Sequence, residues 1–242
     1  MAIEFSGADS MRVQFSPVTQ CDNLTTLTCM AWIYADTIDE GDGSGNIVIN
    51  KYNGWALFTY NGAPWLNRIK FYTDNVTTAG SWVSTNNNIV ATSSWYHIAA
   101  AIDRSNLASD ATLYSNGVSL AVTEAQTPVG AASDDSLTGG WLMIGGIMAG
   151  NEFDGKICDV RIYNRILATG EILDIYNARG VDENYNGLIF RVRFLGAAGL
   201  QTFDGETLVT STNYVYDDMY GSAGNPAINP TGRGDTILTV NW

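Results

Sequence analysis

Thr26-Leu-Thr-Cys-Met-Ala-Trp-Ile-Tyr34 decides the fold class, because its side chains alternate with a period of two and not of 3.6. In an extended strand Leu27, Cys29, Ala31 and Ile33 line one face and Thr28, Met30, Trp32 and Tyr34 the other, so both faces call for cover. Such a strand is central in a sandwich. Comparable runs occur at Ala2 to Phe5, Met11 to Phe15, Asn46 to Asn50, Trp55 to Tyr60, Arg68 to Tyr72 and Trp95 to Asp103. They continue at Ala111 to Ser115, Val118 to Thr123, Trp141 to Gly145 and Phe153 to Tyr163. Short strands at regular spacing, with Gly and Asn between them, predict an all-β antiparallel sandwich.

Asn116-Gly117 is the sharpest turn signal, since a two-residue type I′ turn needs positive φ at both central positions; it predicts a tight hairpin between Ala111–Ser115 and Val118–Val122. One short helix is expected at Leu167 to Tyr176, with Thr169 as its N-cap and Ile172, Leu173 and Tyr176 at helical spacing. After Ala178 a polar link leads to Leu188-Ile-Phe-Arg-Val-Arg-Phe194, a further strand. The remainder offers short strands at Thr207 to Val209 and Thr236 to Val240. Two units are therefore expected: a sandwich over 1–178, and a β and loop extension over 179–242 packed on it.

The chain has 242 residues, with 45% hydrophobic and 15% charged side chains, which suits a folded chain and not a disordered one. A formal net charge of −13, with 12 Lys and Arg in all, argues against nucleic acid as a partner. It equally disfavours an anionic membrane, and no apolar run has the length of a membrane span. Acidity serves solubility first, although oxygen-rich surfaces can also hold Ca²⁺. The opening residues lack the basic and apolar regions of an export signal, so ordinary secretion is not expected from this chain. Cys21, Cys29 and Cys158 are an odd number in a domain that needs no disulfide; Cys29, within a strand pattern, reads as a buried small hydrophobe.

The order of motifs resembles the laminin-G-like branch of the concanavalin-A-like lectin/glucanase superfamily over roughly residues 1–178. The resemblance is carried by Ala2-Ile-Glu-Phe-Ser-Gly, Leu27 to Tyr34, Trp95-Tyr-His-Ile-Ala-Ala-Ala-Ile-Asp, Leu113-Tyr-Ser-Asn-Gly-Val, and Phe153 to Arg165 followed by Ala168 to Tyr176. Ser6 and Cys158 stand where acidic residues are frequent in that family. The implied fold is a jelly-roll sandwich closed by one short helix. Gly187-Leu-Ile-Phe-Arg-Val-Arg-Phe and Tyr216-Asp-Asp-Met-Tyr-Gly-Ser-Ala-Gly-Asn-Pro resemble elements that in many relatives precede the opening strand. A permuted tail supplying strands beside the N-terminus is one consequence, and similar arrangements in virion proteins of tailed bacteriophages are a looser resemblance.

Glucanases of this fold place paired carboxylates on one strand as Glu-x-Asp-x-x-Glu, a pattern missing from this sequence. The acidic clusters Asp39-Glu40-Gly-Asp42, Asp134-Asp135 and Asp182-Glu183 sit in loop contexts; they read as solvated turns, with Asp39, Glu40 and Asp42 the candidates for a metal. His97, the single histidine, lies in an apolar strand without a nucleophile motif and reads as structural. Sugar recognition needs flat aromatic faces and planar amides, so Trp55, Tyr60, Trp65, Tyr72, Trp82 and Asn87, within Asn86-Asn87-Asn88, are the candidate ligand residues. For each ring taken singly, filling the core is the commoner fate. Arg233-Gly234-Asp235 spells an adhesion tripeptide, which a glycine turn explains equally well.

These readings favour a non-catalytic surface or virion structural protein, a decoration or adhesion subunit that binds glycans. Its partners would be other virion or surface proteins, glycans or further copies of itself, on a virion or an extracellular surface. The alternatives are a secreted carbohydrate-binding lectin module of a larger enzyme, and a glycoside hydrolase with a non-standard site.

Overall fold

The computed structural model describes residues 2–6, 12–15, 18–38, 45–62, 65–136, 141–146, 151–182, 184–194, 200–203, 208–209 and 214–216, with Ser6, Trp65, 193–194 and the last three stretches described by backbone alone. Among them, two antiparallel sheets of nine and eight strands lie face to face.

The first sheet is built around β3 (Thr26–Ala35), the strand in which strict alternation is most evident. One edge of β3 pairs from Thr26 to Tyr34 with β8 (Trp95–Asp103), which in turn pairs with β9 (Thr112–Ser115) and then β10 (Val118–Ser119). Its other edge pairs with β13 (Asp154–Tyr163). The far edge of β13 is shared: β1 (Ile3–Ser6) covers Asp154 to Ile157, and β14 (Leu188–Phe194) covers Val160 to Tyr163. Beyond β14 follow β15 (Leu200–Phe203) and β16 (Leu208–Val209).

The second sheet runs from β11 (Val122–Gln126) through β7 (Gly80–Ser84), β6 (Trp65–Thr73), β5 (Trp55–Gly62), β4 (Asn46–Lys51), β12 (Leu142–Ile144) and β2 (Arg12–Phe15) to β17 (Tyr214–Tyr216). Pairing of β17 with β2 sets part of the tail beside an N-terminal strand. At the opposite edge, β11 carries a bulge between Glu124 and Gln126, and its side chains are mostly exposed.

Alternation fills the space between the sheets. Leu27, Cys29, Ala31 and Ile33 of β3 face Ile49, Trp55, Leu57, Ile69, Phe71 and Trp82 of the second sheet in one continuous core. Burial at this scale is worth about 25 cal/mol per Å² of apolar surface, the largest contribution in favour of the fold. The Asn116-Gly117 turn forms as expected, with φ of 50° and 79°. A side chain at Gly117 would collide with Leu173 Cδ1, 2.8 Å from the Cβ position, so the turn also seats the helix.

Several expectations need correction. The run Val118 to Thr123 is not one strand: β10 ends at Ser119, and β11 starts at Val122 in the other sheet. Strands β7, β15 and β17 were not expected. The helix α1 spans Thr169–Ala178, and its N-cap is Ala168, not Thr169. Alanine has no side-chain acceptor, so only the return half of a capping box forms: Glu171 Oε2 accepts from the Ala168 backbone N–H at 2.8 Å. Ile172 and Ile175 are the buried helix residues, whereas Leu173 is exposed. The Thr236 to Val240 run and Arg233 to Asp235 lie outside the described residues.

Candidate functional site

The second sheet's outward face follows from strand register. Tyr60 pairs with Arg68, Phe58 with Lys70 and Ala56 with Tyr72, so these six share a face that excludes Trp55, Leu57, Ile69 and Phe71. Two of the expected ligand residues, Tyr60 and Tyr72, are therefore brought together. The Lys70 ammonium lies 4.9 Å from the Tyr60 ring centre and 5.5 Å from that of Phe58. The Tyr72 hydroxyl donates to Asp74 Oδ1 at 2.8 Å. Burial first, and that carboxylate second, push the Tyr72 hydroxyl pKa well up, so it stays a neutral donor.

This face is nevertheless closed to solvent. Phe58 is 9% exposed, Tyr60 8% and Met143 0%. Arg12, Gln14, Arg68 and Val83 are buried with them, while Asn50, Lys70 and Tyr72 remain half-buried.

The other expected ligand residues separate. Trp55 and Trp82 point into the core, Trp55 stacked on Phe71 at 6.3 Å and Trp82 donating its indole N–H to Asp110 Oδ1 at 2.9 Å. Neither ring can stack on a sugar from outside. Register explains it: both alternate with residues of the opposite, outward face. Asn87 is exposed, but its Oδ1 already accepts from the Leu66 N–H at 3.0 Å and from Arg68 Nε at 2.7 Å, which fixes the start of β6. Trp65 belongs to β6, but its side chain, like Asp39, Glu40 and Asp42, lies outside the described residues. Among the described residues no three His, Cys, Asp or Glu side chains gather as a metal cage.

The first sheet's outward face divides in two. Its central part is covered by α1: Met30, Ala99, Tyr114, Tyr163, Leu167, Ile172, Ile175 and Leu188 form a second buried cluster. Trp32 stacks on Tyr176 at 5.5 Å and tilts against His97 at 5.4 Å. His97 is buried, and burial followed by the Arg161 charge lowers its pKa to about 4, so it is a neutral structural histidine.

Beside it Arg161 bridges Asp159 and Asp182, and Arg191 Nε donates to Asp159 Oδ1 at 2.8 Å while its Nη2 reaches Gly180 O at 3.0 Å. Asp159 sits at φ 46° where β13 is bulged against β3. Burial opposes its charge, but the two guanidinium groups hold its pKa below the ordinary carboxylate range. The network straps the link after α1 to the sheet, an anchoring role rather than a reactive one.

At the far end of the same face, α1 no longer covers the strands. Trp95 is 41% exposed and tilts against Tyr34 with ring centres 5.6 Å apart. Lys156 Nζ stands 5.0 Å from the Tyr34 ring centre and 3.4 Å from Glu4 Oε1. Sequence reasoning missed this group. Its signal was present in the alternation that set Tyr34 opposite Ile33, but Trp95 registers with Tyr34 only once β3 and β8 are paired.

Burial is also the main cause that raises the thiol pKa of all three cysteines, to about 12 for Cys21 and Cys158, so none is a ready nucleophile.

Fold and surface together define a lectin-like β-sandwich with one aromatic face shut and one aromatic end open. The chain belongs to the concanavalin A-like lectin/glucanases superfamily, whose profile matches residues 6–173. Among solved structures it is similar to a protein of Bacteroides ovatus assigned as carbohydrate-binding, with 17% identity and a TM-score of 0.57, covering 86% of this chain and 62% of that one. The chain thus spans less than two thirds of that relative. It is also similar to the heptameric SAP-like pentraxin of Limulus polyphemus, with 14% identity, a TM-score of 0.53, and 84% and 91% of the two chains covered. A third is the carbohydrate-binding module (CBM40) of the Ruminococcus gnavus IT-sialidase bound to α2,3-sialyllactose, with 18% identity, a TM-score of 0.51, and 72% and 96% covered. These likenesses establish the fold. No curated protein matches the chain.

Proposed function

We propose that this protein is a non-catalytic glycan-binding surface protein. The single observation that carries the reading is the exposed Trp95 ring set against half-buried Tyr34 at the uncovered end of a rigid sheet, while Trp55, Trp82 and Phe71 fill the interior. An indole held at the surface of a stiff scaffold presents a flat apolar face with a polar N–H at its edge, which suits stacking on the apolar face of a sugar. The carbohydrate-binding neighbours support the same reading. Residues 179–242 are an extension of the same sandwich in this proposal, supported by β14 joining β13 and β17 joining β2.

An extracellular surface is the placement that this reading takes; among the described residues no helix is long and apolar enough to cross a membrane. The narrower form, a decoration or adhesion subunit of a virion, rests on the similarity of the C-terminal segments alone.

A glycan array probed with and without Ca²⁺ tests the proposal. Saturable binding to a defined set of saccharides is expected, and retention of none in either condition would refute it. Incubation with β-glucans and uronic-acid polymers is expected to give no turnover; turnover abolished by a carboxylate substitution would overturn the non-catalytic reading.

A further inference from the structure

We infer that Trp95, Tyr34, Lys156 and Glu4 form a strip for a neutral oligosaccharide, an inference that rests on the glycan-binding reading above. The four side chains are not neighbours in sequence. Strand register aligns them: Trp95 of β8 is opposite Tyr34 of β3, Tyr34 is opposite Lys156 of β13, and Lys156 is opposite Glu4 of β1. Three inter-strand steps give the row a length of about 14 Å, enough for a short oligosaccharide laid across the strands.

The chemistry changes along the row in the order a sugar chain can use. Trp95 offers the exposed indole and Tyr34 a half-buried ring tilted 57° to it, so together they form a shallow aromatic corner and not a flat stack. Next to it, Lys156 and Glu4 are only 25% and 34% exposed, held 3.4 Å apart. Their N–H donors and carboxylate acceptors stand at sheet height, where hydroxyls of a ring seated on the aromatic corner can be reached.

Charge selects the ligand class. The ammonium is already neutralised by Glu4, so the strip has no net positive charge, and the chain as a whole carries −13. The chain's overall negative charge disfavours the approach of a sialic or uronic acid, and the Lys156 ammonium is already held by Glu4. A neutral hexose chain meets neither obstacle.

The test is titration of the full chain with maltotriose, cellotriose, lactose, 3′-sialyllactose and a uronic-acid trisaccharide. It is followed calorimetrically and by the indole N–H resonances of ¹⁵N-labelled protein, with the Trp95 resonance assigned from its loss in Trp95→Phe. At least one neutral sugar is expected to bind and move the Trp95 signal. Trp95→Ala should weaken that binding about tenfold or more, and Trp95→Phe by much less. Because Trp95 is exposed, both variants should melt like the wild type.

If a neutral sugar binds but Trp95→Ala binds equally well with the Trp95 resonance unmoved, the strip is wrong and the glycan-binding reading survives. If only the acidic sugars bind, the ligand class is wrong. If no saccharide binds here or on the array, the broader reading falls and takes the strip with it.

Discussion

The outward face of the second sheet holds Phe58, Tyr60 and Tyr72 and is shut, whereas the outward face of the first holds Tyr34 and Trp95 and is open at one end. Both are aromatic, both are flanked by cations, and both descend from strands with strict alternation. The difference is cover. Aromatic density along a sequence therefore reports where large apolar area is available, and not which of it meets solvent.

That contrast can be broken or sharpened by substitution. Trp55→Ala, on the core side of the second sheet, should cost about 3–5 kcal/mol in chemical denaturation, because the cavity opens between two packed sheets. A loss below about 1 kcal/mol would mean that the ring is not part of the interior.

A smaller effect is expected from pH. The folded His97 pKa of about 4 lies below the unfolded value near 6.5, so the unfolded chain binds a proton that the folded one refuses. Stability should fall as pH drops from about 6.5 to about 4, by on the order of 3 kcal/mol from this group, and no further from it below that. His97→Gln should flatten that window in denaturation curves measured at successive pH values. An unchanged slope would show that His97 is not buried neutral beneath Trp32 and Tyr176.

The smallest effect should come from Trp95→Ala, within about 0.5 kcal/mol of wild type, as for surface positions generally. A large loss there would make the open end of the first sheet structural and erase the distinction between the faces.

Much of the architecture was legible because it is local. The alternation in Thr26–Ala35 and Asp154–Tyr163, and the Asn116-Gly117 turn, are decided by neighbouring residues, and each appears where its pattern put it. Gly80–Ser84 escaped because Gly-Ser-Trp-Val-Ser is short and opens on glycine, so pairing with β6 makes it a strand rather than propensity. The switch of sheets between Ser119 and Val122 leaves no periodic signature, since both halves alternate. Ala168 could not be found as an N-cap, since Thr169 is the better capping residue and Glu171 alone closes the turn.

The candidate ligand residues were less legible than the strands for one reason. Whether a ring lies inside or outside depends on which side of its sheet faces the other sheet, and that is set by chain segments far apart in sequence. Trp55 and Tyr60 lie in one strand and point in opposite directions.

The bulged, Glu-bearing margin at β11 has a consequence for how copies of this protein tolerate crowding. Among the described residues its outer edge pairs with no further strand, and it is bent and charged where a second molecule would have to zip onto it, which opposes growth of the sheet from chain to chain at that border. Concentrated preparations should therefore resist ribbon-like polymerisation through β11.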